Sequence, residues 1–81
     1  MNISYRDNFT KNLKDFSLEI KKKVKKQINY LSKNIRHPSL RAKKYNENQG
    51  IWQARVDKNI RFYFKIEDDT YILTDIINHP K

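Results

Sequence analysis

The chain has 81 residues, enough for one domain with a modest core and no second lobe. It carries 18 Lys and Arg against 9 Asp and Glu, a formal net charge of +9, so we expect an anionic partner. The absence of Cys excludes disulfides and thiolate chemistry, and no apolar run is long enough for a transmembrane helix. We therefore expect a single domain, residues 1–81, located in the cytoplasm and not in a membrane.

The first 40 residues predict a strand followed by two helices. Residues 1–5 alternate as a short strand, and from Phe9 to Ile35 the apolar residues recur every three or four positions, as on one face of a helix. A single helix of that length would span about 40 Å, too long for this domain. We expect a break near Asp15 or Ser17, either of which suits an N-cap, and helices over 7–14 and 17–34.

From residue 40 the apolar period changes to two, which predicts four strands. We expect them over 40–45, 51–57, 61–66 and 70–77, with an acidic turn at 67–69. The last strand has apolar residues on both faces, so it should be central in the sheet. The predicted fold class is α+β, in the order β-α-α-β-β-β-β, with a helical hairpin packed on one face of a mostly antiparallel sheet.

Strands 51–57 and 61–66 are expected to form a hairpin. A two-residue loop would turn Arg61 into the core, whereas a three-residue loop over 58–60 pairs Asp57 with Arg61 and Arg55 with Tyr63, and brings the apolar sets together. The opposite face then displays polar side chains: Gln53, Arg55, Asp57, Arg61, Tyr63 and Lys65. Such a face can bind phosphates and unpaired bases, but it can equally be an ordinary polar surface with an Asp57–Arg61 ion pair.

The charge pattern leaves the anionic partner open. Residues 1–40 hold ten of the 18 basic residues, and the densest block is 21–26. This block is either the solvated face of an amphipathic helix or a footprint for nucleic acid, the ribosome or an acidic protein.

Standard enzyme motifs are missing from the sequence. The single Gly50 excludes a P-loop or a glycine-rich dinucleotide turn, and the carboxylates form no obvious metal cluster, so we expect neither a metal nor a cofactor. His37, before Pro38, is interpreted as a surface or capping residue. His79 follows the last strand and is either a titratable group at the sheet rim or a frayed terminal residue.

An ordered set of residues nevertheless runs through the second half of the chain. It consists of a strand with Trp52 that ends in Arg55-Val56, a short turn, Arg61 followed by apolar and aromatic residues, the acidic turn at 67–69, and His79 near the end. This set resembles the RelE/ParE superfamily of bacterial toxins from type II toxin–antitoxin systems. The resemblance covers nearly the whole chain and implies a RelE-like fold.

Two activities occur in that superfamily. RelE-like members are ribosome-dependent endoribonucleases that cut mRNA without a metal, and ParE-like members poison DNA gyrase. In the ribonuclease case, Arg61 matches the family's strand arginine, which would stabilise charge on the phosphate, and His79 matches a C-terminal histidine that would act as general acid or base. The remaining expected substrate-binding residues are Arg55, Lys43, Lys44, Tyr63 and Lys65.

The chain departs from many ribonuclease members in two places. It ends two residues after His79, where they continue to a Tyr or Phe, and the strand over 40–45 has no glutamate, since Glu47 follows it. Arg61 together with His79 favours the ribonuclease over a gyrase-directed toxin, and a non-catalytic RNA- or protein-binding domain is the third hypothesis. A toxin of either kind implies a cognate antitoxin, expected to be acidic, and the ribonuclease adds the ribosome and mRNA as partners.

Overall fold

A computed structural model describes residues 1–78, in which two helices pack against a five-stranded sheet. The helices are α1 (Asp7–Leu13) and α2 (Leu18–Lys33), and a short 3-10 helix (Pro38–Leu40) follows them. The strands are β1 (Asn2–Tyr5), β2 (Lys43–Asn46), β3 (Ile51–Arg55), β4 (Ile60–Glu67) and β5 (Thr70–Asn78). The predicted α+β layout and element order are confirmed. Within the described residues, no helix is both long and apolar enough to cross a bilayer.

The break between the helices lies where the sequence predicts it. Ser17 is the N-cap of α2, with an extended backbone, and its hydroxyl oxygen accepts a hydrogen bond from the Ile20 N–H at 3.2 Å. Glu19 in the first turn and Lys33 in the last turn have the charges that the helix dipole favours at each end. The helix ends before Asn34, whose backbone is extended.

The strands lie in the order β1-β5-β4-β3-β2, with β1 parallel to β5 and all other neighbours antiparallel. The interior position predicted for the last strand is therefore confirmed. Strand β1 pairs only with residues 70–73 of β5, and α1 contacts this strand further along, where Asn12 Nδ2 donates to Asp75 Oδ1 at 2.7 Å. Thr74 is an extra residue in β5 between the partners of Tyr63 and Phe64, which makes a β-bulge.

The core lies between the helices and one face of the sheet. Its largest fully buried side chains come from both layers: Phe9, Val24, Leu31, Leu40, Phe62, Phe64, Leu73 and Ile76. The Phe64 ring lies 5.9 Å from that of Phe62 and 5.6 Å, edge to face, from that of Tyr71. Burial also raises the pKa of the Tyr71 hydroxyl, because the charged phenolate would lose its solvation in the core.

The β3–β4 hairpin has a different register from the predicted one. Arg55 lies opposite Arg61, and Gln53 opposite Tyr63, so each pair is shifted by two residues. The Val56 N–H donates to the Ile60 oxygen at 2.9 Å, which makes 57–59 the loop instead of 58–60. The loop begins earlier because the Asp57 carboxylate accepts the Asn59 and Ile60 N–H groups at 2.9 and 3.0 Å. A shift of two residues leaves every side chain on its predicted face.

The predicted strand over 40–45 begins later than expected. Residues 38–40 form the 3-10 helix, with Pro38 at its first position, and the chain enters β2 only at Lys43. His37 caps this helix, since its Nδ1 accepts the Ser39 N–H at 3.3 Å, which confirms the capping role predicted for it. Arg41 follows with φ 47°, a left-handed conformation that turns the chain into β2.

Candidate nucleic-acid interface

The sheet face opposite the helices carries polar side chains in cross-strand rows. Arg55 on β3 lies directly opposite Arg61 on β4, next to a row formed by Lys43, Gln53, Tyr63 and Asp75 from four neighbouring strands. Ala54 and Phe62, which alternate with these residues along β3 and β4, are fully buried in the core. Both arginines therefore lie on the face away from the core, as predicted.

The two arginines are held by the same backbone oxygen at the hairpin turn. Arg61 Nη1 donates to the Asp57 carbonyl oxygen at 2.6 Å and to that of Ile60 at 3.2 Å. Arg55 Nε donates to the same Asp57 oxygen at 3.3 Å. The predicted Asp57–Arg61 pairing is thus replaced by bonds to backbone, and the Asp57 carboxylate caps the turn instead. Each guanidinium has five N–H donors, and within residues 1–78 these bonds occupy only a minority of them, so the others can bind an anion.

These arginines line a pocket of about 200 Å³, which we call the phosphate pocket. Its lining consists of Arg41, Lys43, Gln53, Ala54, Arg55 and Arg61. Four of these six are cationic, and the described residues contribute no carboxylate to it. Such a concentration of positive charge in a concave surface attracts anions, and guanidinium groups match the geometry of phosphate oxygens.

The structure brings together three of the predicted site residues, Arg61, Arg55 and Lys43, in the phosphate pocket. Lys44 is on the other face of β2, where it pairs with Trp52 and its ammonium lies 5.4 Å from the centre of the indole ring. Lys65 shares the face of Arg61 but lies opposite Ile72, beyond the pocket. His79 lies outside the described residues.

Tyr63 is placed on the predicted face but is mostly covered. It is 6% exposed, and its hydroxyl accepts a hydrogen bond from Gln53 Nε2 at 3.0 Å. Tyr45 packs edge to face against it with ring centres 5.0 Å apart and is itself 60% exposed. Tyr45 therefore offers the larger aromatic surface to a ligand on this side of the sheet.

Sequence reasoning missed two residues of this surface, Arg41 and Tyr45. Arg41 reaches the pocket because its left-handed conformation, directly after the 3-10 helix, places it next to β2. The predicted strand began at residue 40, so it did not include this turn. The alternation of Arg41 with Lys43 was a signal for the first of them. The alternation of Tyr45 with Lys43 was the corresponding signal, since Tyr45 lies against Tyr63 on the same face of the sheet.

Gln27 is a buried polar residue of α2 that supports the site from the core side. It is 6% exposed, and its Nε2 donates to the Arg55 oxygen at 2.7 Å and to the Ser39 oxygen at 3.1 Å. Its Oε1 accepts a hydrogen bond from the Ser39 hydroxyl at 3.1 Å. Gln27 thus joins α2 both to β3 at Arg55 and to the 3-10 helix that precedes Arg41.

Replacing Gln27 with leucine is expected to lower the free energy of unfolding by about 1–3 kcal/mol, because two part-buried carbonyl oxygens lose their donor. Urea denaturation of the purified protein measures this. Asn29→Leu is the matched control, an exposed amide on the same helix, and should change stability by less than about 0.5 kcal/mol. Equal stability of the Gln27→Leu variant and the wild type would show that the network contributes nothing.

Among residues 1–78, no three His, Asp or Glu side chains are grouped so that they could hold a metal ion. The cations of the phosphate pocket can bind a phosphodiester and stabilise additional negative charge on it.

The sequence matches no protein-family profile and no curated protein. The structure, in contrast, is similar to solved toxins. The YoeB/ParE toxin from Agrobacterium tumefaciens has a TM-score of 0.82 at 10% identity, with 99% of this chain and 100% of that chain covered. The archaeal RelE–RelB complex from Pyrococcus horikoshii gives 0.82 at 9% identity, covering 99% and 96%. The RelB–RelE antitoxin–toxin complex from Methanococcus jannaschii gives 0.74 at 22% identity, covering 93% and 88%. The chain has the RelE-like fold, which confirms the fold that the resemblance implies.

Proposed function

We propose that this protein is the toxin of a type II toxin–antitoxin system and that it cleaves mRNA on the ribosome. The observation that carries the proposal is the phosphate pocket, in which Arg41, Lys43, Arg55 and Arg61 converge without a carboxylate from the described residues. The RelE-like fold supports it, since the solved proteins with this fold include toxins and their complexes with antitoxins.

The proposed reaction is transesterification within the RNA strand. The ribose 2′-oxygen attacks the adjacent phosphorus, its proton passes to a general base, and the bond from phosphorus to the 5′-oxygen breaks as that oxygen gains a proton. Negative charge gathers on the non-bridging oxygens as the new bond forms. Arg61 and Arg55, held on one carbonyl oxygen, would donate to these oxygens, and Arg41 and Lys43 would hold the strand in place.

The roles of the other residues are assigned from the family resemblance and from their positions on the sheet. His79 is assigned the general acid or base role. Lys65 would extend the contact with the RNA backbone along the same face, and Tyr45, next to the covered Tyr63, would supply a stacking surface. Lys44, on the other face, is assigned no contact in the phosphate pocket.

A cognate antitoxin completes the proposal. The chain has a net charge of +9, and its cationic pocket is open to solvent, so an acidic antitoxin would both bind it and cover the site. Solved structures of similar fold include a RelB–RelE antitoxin–toxin complex from Methanococcus jannaschii and a heterotetrameric YoeB–YefM toxin–antitoxin complex from Staphylococcus aureus.

Induced expression in a bacterial host tests the function. We expect growth to stop and 5′-end mapping to show transcripts cut within translated regions, while the same transcripts incubated with purified protein and no ribosomes stay intact. Intact transcripts with damaged DNA would contradict the ribonuclease and support a gyrase-directed toxin. Normal growth under strong expression would contradict both and indicate a non-toxic binding domain.

A further inference from the structure

A second cavity, of about 350 Å³, adjoins the phosphate pocket. Arg41 lines both cavities, so they meet at its side chain. The second cavity also has Arg36, His37 and Trp52 in its lining, and the described residues contribute no carboxylate to it. Its volume falls within the range of about 300–1,000 Å³ typical of small-molecule sites. It thus combines two guanidinium groups with two aromatic rings.

Both aromatic rings of this cavity are supported from behind. The His37 imidazole stacks on Tyr30 with ring centres 3.8 Å apart and planes 6° apart. The Trp52 indole lies over Phe64, a core residue, with ring centres 6.1 Å apart. His37 is further held by Ser39, whose hydroxyl lies 2.9 Å from its Nδ1. Rings that are already fixed lose little conformational freedom when a flat ligand packs on them.

We propose that the second cavity binds a nucleotide of single-stranded RNA that neighbours the nucleotide held in the phosphate pocket. The base would pack against Trp52 and His37, and the phosphate that joins the two nucleotides would lie at Arg41. This inference rests on the proposed function and extends it to a second subsite of the same strand. Cationic grooves with interleaved aromatic rings are the usual way in which proteins hold unpaired nucleic acid.

The lining favours a nucleotide over other anions. Inorganic phosphate or an acidic peptide would use Arg36 and Arg41 but would gain nothing specific from two supported rings. Lys44, whose ammonium lies 5.4 Å from the centre of the Trp52 ring, is exposed, so it can move aside for a base and bind its phosphate. Lys44, which does not line the phosphate pocket, would thus contact the RNA at the second cavity.

Trp52 is the single tryptophan of the chain, so its fluorescence reports on this cavity directly. The probe is a 2′-O-methyl uridine trinucleotide, which can bind but cannot be cleaved. The shorter ligand is uridine 3′-monophosphate, which is expected in the phosphate pocket, away from Trp52, so its binding is measured by isothermal titration calorimetry. We expect saturable quenching by the trinucleotide. Arg36→Gln should weaken trinucleotide binding on the order of tenfold, the scale of one lost base or phosphate contact, with little change for the mononucleotide. Arg41→Gln should weaken both, because Arg41 lines both cavities.

Lys33→Gln is the matched control, an exposed cation at the end of α2 that lines neither cavity, and should leave both affinities unchanged. The second subsite would be overturned if the trinucleotide caused no quenching, or if the Arg36→Gln variant bound it as tightly as the wild type. Either result would be decisive even if transcripts are cleaved on ribosomes. Quenching by an acidic peptide but not by the trinucleotide would overturn it in favour of a protein partner. Trinucleotide binding that depends on Arg36 in a protein that cuts no transcript would keep the subsite and reject the ribonuclease.

Discussion

Arg61→Ala is expected to lower the rate of transcript cleavage about 100- to 1,000-fold, the usual cost of removing one donor that stabilises a transition-state anion. The reason is its position: Arg61 lines the phosphate pocket opposite Arg55, with its Nη1 fixed on the Asp57 oxygen at 2.6 Å. The rate is measured on programmed ribosomes with purified protein, and growth under induced expression should recover in parallel.

Three controls separate catalysis from structure. Arg61→Lys keeps the charge but loses the planar fork, so we expect it to restore only part of the rate. Arg6→Ala removes one positive charge next to β1, at the opposite edge of the sheet from the pocket, and should cleave like the wild type. Thermal unfolding shows whether the loss of the turn bonds alone explains the effect. A well-folded Arg61→Ala protein that is as toxic as the wild type would contradict the assignment.

Phe62→Ala is expected to have the largest effect on stability, a loss of about 3–5 kcal/mol in the free energy of unfolding. Phe62 is 0% exposed, lies on the central strand β4 and faces Ala54 and Ile76 on the neighbouring strands. Small domains are stable by about 5–15 kcal/mol in total, so this variant should be close to unfolding at 37 °C. Urea denaturation followed by circular dichroism gives the value.

The matched variants test whether the cavity is the cause. Phe62→Leu leaves a smaller void and should cost less than half as much as Phe62→Ala. Tyr45→Ala removes an exposed ring from β2 and should change stability by less than about 1 kcal/mol. An unfolding midpoint for Phe62→Ala that equals that of the wild type would mean that this strand does not form the centre of the core.

Much of the candidate site could be predicted from local pattern. The alternation along 51–57 and 61–66 places Arg55 and Arg61 on the same face of the sheet. A register shift of two residues does not change that face, and the structure confirms it. The register itself could not be predicted, because it depends on the Asp57 carboxylate bonding to two backbone N–H groups in the loop. As a result, the structure sets the two arginines opposite each other, whereas the sequence paired each with a different residue.

Periodicity along the sequence was enough to predict which segments are helices, which are strands, and in what order they follow one another. Three local signals carry this prediction: the spacing of three and four from Phe9 to Ile35, the Ser17 cap, and the change to a period of two after residue 40. Each depends only on residues close together in the sequence, so it can be recognised without the structure. Only the tertiary structure decided which side chains share a cavity. Arg41 lies beside Arg55 and Arg61, and Trp52 beside Arg36, because strand order and the turn after the 3-10 helix bring distant positions together. Gln27 joins the same elements from inside the core. Such contacts depend on where whole elements pack, and no short stretch of sequence contains that information.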